Sequence, residues 1–192
     1  ALKLASQNIN VVIADINPAG ESVKNVTYRY CDITKGDDVD ALYRWMAENT
    51  GMPDIVILNA GRGIHERLTE GDPDKWLDII NLNIMGTLRC IRSFVPPMNE
   101  NKQGKVIFIS SVSAHQPYPY GGVYSASKAA VEMIAETLRL ETLPYIKITV
   151  VAAGVTNTNF FKNQVSGHNT VEDIGMGSLS AEDVAEDVFY AI

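Results

Sequence analysis

The 192-residue sequence is short of the residues that build disulfide frameworks and metal centres. Its only cysteines, Cys31 and Cys90, lie far apart and form no CxxC pair. That usage excludes a disulfide scaffold and a thiolate metal cluster, and it suits a reducing compartment, so a cytoplasmic location is expected. The three histidines, His65, His115 and His168, lack ligand-like spacing, and no metal site is expected. No basic run occurs and the formal net charge is -7, which argues against nucleic acid and anionic membrane surfaces as partners. Apolar runs end after about four or five residues, far short of the ~20 of a spanning helix. No signal peptide is visible either. What remains is an ordinary globular composition, 46% hydrophobic and 20% charged, with material for the core of one domain over 1–192.

Strand and helix patterns alternate along the chain. Residues 1–7 read as the end of an amphipathic helix with Asn8 as its stop. Val11 to Ala14 is a continuous apolar run ending in Asp15, as expected of a buried parallel strand. Asn17-Pro18 starts a short helix or turn, and Val26 to Tyr30 is a second strand running into Cys31-Asp32. A helix over 37–49 places Val39, Leu42, Trp45 and Met46 at helical spacing and is broken by Gly51-Met52-Pro53. Ile55 to Leu58 is the third strand, ending in Asn59-Ala60-Gly61. Asp72 as cap and Pro73 as first helical residue open a long helix to about Pro96. Strands follow at 104–109 and 146–152, separated by a helix over 123–142 that stops before Pro144. A Gly/Asn/Thr-rich loop covers about 154–179, and Ser180 with Asp183 caps a closing helix. The sequence opens in mid-helix without an initiator Met and closes inside another helical pattern, so the domain is expected to be incomplete at both ends.

Alternation of this kind predicts an α/β fold, a doubly wound parallel sheet in a Rossmann-like three-layer α/β/α arrangement. Ligands on such a sheet sit at the carboxyl ends of the strands. Each strand here ends in a polar or glycine-containing signal: Asp15, Asp32, Asn59-Ala60-Gly61, Ser110-Ser111 and Ala153-Gly154. Those five ends converge on one predicted site. Within it, Tyr124 and Lys128 stand four apart on a helix and therefore share a face. An unperturbed phenol, with a pKa of about 10, is a poor acid or base at neutral pH. A neighbouring ammonium favours the phenolate and lowers that value. Ser111, at a strand end, can hydrogen-bond a carbonyl or alkoxide oxygen beside the phenol. Isolated, each of these residues is unremarkable; the spacing together with the strand end and helix entry points to proton transfer at a carbonyl.

These motifs, in order, resemble the short-chain dehydrogenase/reductase family in its single-domain branch. The resemblance runs through Asp15, Cys31-Asp32-Ile33-Thr34, Asn59-Ala60-Gly61, Asn81-Leu82-Asn83-Ile84-Met85-Gly86, Ser110-Ser111, the Tyr124-to-Lys128 motif and Gly154-Val155-Thr156-Asn157-Thr158. It implies an oxidoreductase that moves a hydride between a nicotinamide cofactor and a ketone or secondary alcohol. Tyr124 would be the acid or base, Lys128 would lower the Tyr124 pKa and bind the nicotinamide ribose, and Ser111 would orient the substrate oxygen. Asn83 would hold a water behind the lysine. From the residue alone, Asn83 reads as a helix-interior asparagine satisfied locally. Asp15 would accept the adenosine ribose hydroxyls and repel a 2′-phosphate, which favours NAD over NADP. Asp32 and Ile33 resemble the adenine-contacting pair, and Asn59, Ala60 and Gly61 the segment beside the adenosine ribose. Gly154, Val155 and Thr158 fall on the family's nicotinamide-side segment. The family also implies a homodimer or homotetramer built on the helices near 73–96 and 123–142.

Two features depart from the family pattern. The first strand and the glycine-rich TGxxxGxG loop would precede Ala1, and the natural protein is expected to carry them. Ala153 stands where the family usually has proline. Tyr118, Tyr120, Phe160 and Phe161, with His115, fit an apolar pocket wall, loop packing or a subunit contact equally well. Met52, Trp45 and Trp76 read as core, and His65 and His168 as exposed loop residues. Two other functions stay open: a catalytically inactive nucleotide-binding or scaffold protein on the same fold, and an epimerase or dehydratase of the extended branch, for whose larger substrate region this chain has little room.

Overall fold

The computed structural model describes residues 1–17, 22–167 and 177–192. Pro18 and His168, and the middle of the predicted 154–179 loop, lie outside the described residues. The elements follow the predicted alternation. Helix α1 (Leu2–Ser6) leads to β1 (Val11–Asp15) and β2 (Val26–Tyr30), then α2 (Gly36–Asn49), β3 (Ile55–Leu58) and α3 (Pro73–Ile80). A π-helical segment (Asn81–Gly86) joins α3 to α4 (Thr87–Glu100). Next come β4 (Gly104–Ser111), a 3₁₀ turn (Val112–Ala114), α5 (Gly122–Thr142) and β5 (Ile146–Ala153). A second 3₁₀ turn (Phe161–Asn163) and α6 (Ala181–Tyr190) close the chain.

All strand pairs among the described residues are parallel, and the connections from β3 to β4 and from β4 to β5 run through helices, as parallel neighbours require. They fall into two ladders, β1 beside β2 and β3-β4-β5 in that order. With helices covering them, the architecture is the Rossmann-like α/β/α one. The β4–β5 register runs as far as Ser110 beside Ala152 and Ser111 beside Ala153. Ser111 and the backbone leading to Gly154 therefore leave the sheet side by side, and the carboxyl end of β3 lies next to them through its pairing with β4.

Burial explains the apolar runs. Val106, Ile107 and Phe108 of β4 are fully buried. Val106 and Phe108 share one core cluster with Val95 and Met98 of α4, Val131, Ala135 and Leu138 of α5, and Ile146. A second cluster packs Phe94 of α4 on Cys31, Val39, Leu42 and Met46, with Trp45 and Met52 at its margin. Consecutive residues Phe94 and Val95 thus serve two cores, so α4 is the strut between them.

The caps sit where side-chain chemistry predicts. The Asp72 side chain accepts the Asp74 N–H, with Pro73 just inside the helix. Ser180 and Asp183 form a reciprocal capping box on α6. Two expectations need correction. The long helix is not uniform, because the π segment interrupts it, and it passes through Pro96 and Pro97 to end at Glu100 rather than near Pro96. The prolines deprive two carbonyls of helical donors, but Pro96 and the Arg92 turn behind it lie on the exposed side, where water can serve instead. Strand β4 extends to Ser111, two residues further than expected, because its pairing with β5 continues to the end of both strands.

Candidate active site

Tyr124 lies in the first turns of α5, and its ring is buried against Ile64 and Ile79, with Phe160 packed on it at 5.5 Å between ring centroids. Lys128, one turn on, is also buried and donates from Nζ to the Ile109 carbonyl at 2.8 Å. Its ammonium is 5.9 Å from the Tyr124 ring centroid. The Ser111 hydroxyl lies close enough to the Tyr124 phenol to favour its ionised form. It also caps the 3₁₀ turn, accepting the Ser113 N–H at 3.2 Å and donating to the Ser113 hydroxyl at 3.1 Å. Three of the four predicted catalytic groups are thus assembled from the end of β4 and the start of α5.

Asn83, the fourth, sits inside the π segment and is 2% exposed. Its side chain is not satisfied locally. Oδ1 accepts the Arg62 N–H at 3.0 Å, and Nδ2 donates to the Arg62 carbonyl at 3.1 Å and to the Ser127 hydroxyl at 3.0 Å. Ser127 in turn donates to the Tyr124 carbonyl at 2.7 Å. The Asn83 carbonyl accepts from Thr87 at 2.8 Å. Asn83 is therefore a two-sided staple between the segment after β3 and α5. Gly61 sits against that staple: a Cβ there would lie 3.1 Å from Asn83 Oδ1 and 3.6 Å from Lys128 Nζ. A side chain would crowd the staple and the lysine together. A π turn widens the helix by one residue per turn and re-aims the side chains it carries, which is why such turns recur at functional sites.

The electrostatics differ from the sequence expectation at one point. Burial pushes the Tyr124 phenol up to about 12, with the nearby Ser111 hydroxyl pulling the other way. Burial also brings Lys128 down to about 8. The expected lowering of the phenol is not seen in this geometry, because desolvation of the buried ring is the largest effect on it and outweighs the nearby Ser111 hydroxyl. The Tyr124 phenol therefore keeps its proton at neutral pH.

The predicted cofactor residues stand at or just beyond the carboxyl ends of β1, β2, β3 and β5. Asp15, at the exposed end of β1, uses Oδ1 to accept from the Asn17 N–H at 2.9 Å and the Asn17 amide at 2.8 Å. Asp32 is turned inward, accepting from the Thr34 N–H at 3.0 Å and hydroxyl at 2.7 Å, with Lys35 at 3.3 Å. Those contacts, the Thr34 hydroxyl foremost, hold its carboxyl below the usual range. Ile33 packs onto Gly86. Asn59 and Ala60 are exposed at the end of β3. Gly154 accepts the Thr156 hydroxyl through its carbonyl at 3.0 Å, Val155 accepts the Leu179 N–H at 2.8 Å, and Thr158 accepts the Phe160 N–H at 3.2 Å. Among the described residues no group of three or more His, Cys, Asp or Glu could hold a metal ion, and no helix is long and apolar enough to cross a membrane.

Several neighbours of the site were not legible in advance. Arg62 fixes the loop after β5 through Nε to the Asn163 carbonyl at 2.7 Å. Glu66 gathers the Ser166 hydroxyl, the Asp72 N–H and the Trp76 indole N–H at one carboxylate. Their partners lie up to about a hundred positions away, so local pattern carries no trace of them. Ser127 had a usable signal, since it shares the inward face of α5 with Tyr124. His65 is half-buried rather than exposed, ringed by Tyr118 and Tyr120 at 6.1 and 5.1 Å, and burial pulls its imidazole below the usual value.

Comparison with known proteins gives a consistent result. The family model described as short chain dehydrogenase matches residues 1–169. An uncharacterised oxidoreductase of Staphylococcus aureus strain MRSA252 is 33% identical over 175 residues, covering 91% of this chain and 71% of that protein. Among solved structures, serine dehydrogenase from Escherichia coli shares the fold with a TM-score of 0.84 at 22% identity, over 98% of this chain and 82% of that one. The alcohol dehydrogenase of the archaeon Thermococcus sibiricus, solved with 5-hydroxy-NADP, superposes with a TM-score of 0.75 at 25% identity, over 86% and 67% of the two chains.

Proposed function

The chain belongs to the short-chain dehydrogenase family, and on that premise we propose that it interconverts a ketone and a secondary alcohol with a nicotinamide dinucleotide, Tyr124 handling the proton. The observation that carries this reading is the convergence of Tyr124, Ser111, Lys128 and Asn83 from three separate elements on one buried point. A buried lysine and phenol are costly to maintain, and a scaffold protein has no use for them in this arrangement.

The residues present fit a dinucleotide. An exposed carboxylate at the end of β1 offers acceptors for ribose hydroxyls, Asn59 and Ala60 are exposed at the end of β3, and the bare Cα of Gly61 leaves room beside Lys128. The archaeal relative's bound 5-hydroxy-NADP supports the same class of cofactor here. When bound, the nicotinamide supplies or accepts the hydride. In reduction, Ser111 and Tyr124 hold the carbonyl oxygen, and the Tyr124 phenol delivers its proton as the oxygen becomes anionic. Lys128 would hold the ribose, and Asn83 would hold the water through which a proton from solvent returns to the phenol. Asp15 disfavours a 2′-phosphate by like charge, so NAD is the preferred cofactor and NADP the alternative. The exposed face of α5 is the proposed homodimer or homotetramer contact.

A panel of ketones and secondary alcohols assayed with both cofactors tests the reading. Tyr124→Phe should lower turnover by about a hundredfold or more, as loss of a general acid does. Wild-type turnover in that variant would end the proposal.

A further inference from the structure

Beside the four converging residues lies a carboxylate to which the reaction gives no part. Glu132 is on α5, one turn after Lys128. Its side chain is 19% exposed. Oε1 accepts from the buried Ser110 hydroxyl at 2.6 Å, and Oε2 lies 3.0 Å from His115 Nε2. A carboxylate drawn this far from water needs partners worth its desolvation, and both partners flank Ser111. Lys128 reaches the same strand end from the same helix, at the Ile109 carbonyl.

Helix α5 therefore grips three points in succession around the end of β4: the Ile109 backbone by Lys128, and the Ser110 hydroxyl and the His115 ring by Glu132. Ser111 lies between the first two points and the third, with its own hydroxyl bonded at the Ser113 turn and beside the Tyr124 phenol. In a strand, side chains alternate, so fixing Ser110 on one face fixes the direction of Ser111 on the other. The residues from Val112 to Tyr120 continue from the same anchor.

We propose that Glu132 is a positioning residue for the reaction, a clamp that holds Ser110 and His115 so that the Ser111 hydroxyl stays beside the Tyr124 phenol. The proposal rests on the dehydrogenase reading above for its catalytic consequence, but the clamp itself is a statement about the 110–115 segment. Displacing a substrate-orienting group by a fraction of an ångström is enough to lose about tenfold in turnover. Binding of the dinucleotide, at the other strand ends, is left alone.

The test is a set of variants of the full chain, Glu132→Ala, Glu132→Gln and Ser110→Ala, each checked for folding by circular dichroism. Amide exchange over 110–116 and steady-state kinetics are measured on each. Glu132→Ala should speed exchange in that segment and lower kcat by about tenfold with the cofactor KM unchanged. Glu132→Gln keeps an acceptor for Ser110 and a hydrogen-bonding partner for His115, and should recover to within about twofold of wild type. Ser110→Ala opens no large cavity, so it reports on the clamp even if Glu132→Ala folds poorly, and its effect should overlap that of Glu132→Ala. Unchanged exchange and kcat in folded Glu132→Ala or Ser110→Ala overturns the proposal. A glutamine variant as impaired as the alanine one does so equally. If wild type turns over no alcohol or ketone, the dehydrogenase reading fails, while the exchange measurement still decides the clamp.

Discussion

At the scale of single residues, burial sets the proton chemistry. Tyr124 and Lys128 are 8% and 6% exposed, and desolvation drives both toward their neutral forms. A phenol held near 12 is protonated throughout the neutral range, so ketone reduction, which consumes the protonated form, should be flat between about pH 6 and pH 9. Alcohol oxidation needs the phenolate and should rise with pH over the same interval. Paired pH–rate profiles check this, and a reduction rate that climbs with pH would contradict it. Lys128 also leaves a stability signature. Its folded value of about 8 lies below the 10.5 of an ordinary lysine, so between the two the unfolded chain binds the extra proton. Stability should therefore increase as pH rises through that window, and Lys128→Met should flatten the increase in urea titrations at successive pH values. Tyr124 and Lys128 were legible in the sequence because their relation is local, four residues on one helix. Asn83 was legible only as a name in a motif, since its partners Arg62 and Ser127 are distant in the chain.

At the scale of elements, the π segment is the feature that periodicity could not foresee. Residues 73–100 keep a helical apolar pattern throughout, and nothing in Asn81–Gly86 announces a widened turn. What the turn accommodates is visible only in contact. Gly86 lies so close to Ile33 that an added Cβ would fall 2.5 Å from Ile33 Cδ1 and 2.7 Å from Cγ1. Gly86 is also buried, and the segment after β2 rests directly on the helix backbone there. Alanine would gain helix propensity worth up to ~1 kcal/mol yet force an overpacked contact costing ~1–3 kcal/mol. Gly86→Ala should therefore lower stability by about 1 kcal/mol net, read from the denaturant midpoint. Ile33→Ala removes both clashing atoms and leaves a void that the new methyl refills. The double variant should be more stable than the sum of the single losses by about 1 kcal/mol. Simple additivity would show that the two residues do not share the contact described here.

At the scale of the whole molecule, the parallel architecture and the convergence of strand ends could be read from alternating patterns, because buried parallel strands are continuous apolar runs and their polar terminators mark one edge. How copies of the chain associate is a separate matter, decided by surfaces that do not contribute to the fold. The outer face of α5 is such a surface. Ala126, Ala130, Met133, Thr137 and Leu140 line it at helical spacing, with Met133 and Leu140 each 68% exposed. The opposite face of the same helix holds Tyr124, Lys128 and the Val131–Ala135–Leu138 core. The stripe carries no charge, and its small residues permit close helix approach, so on a chain of net charge -7 it offers a surface where like copies meet without repulsion. The expected outcome is a mass in light scattering at a multiple of 21.0 kDa, with Met133→Glu and Leu140→Glu together shifting it to the single-chain value. Two carboxylates would be buried at the contact without partners, a cost of several kcal/mol that a surface pairing cannot absorb. If a neighbouring copy holds the outer side of α5 while Tyr124 and Lys128 hold its inner side, the single-chain form should also lose turnover per subunit. A wild-type mass of 21.0 kDa at micromolar concentration would refute the association, and full activity in the single-chain variant would show that α5 holds its site without a partner.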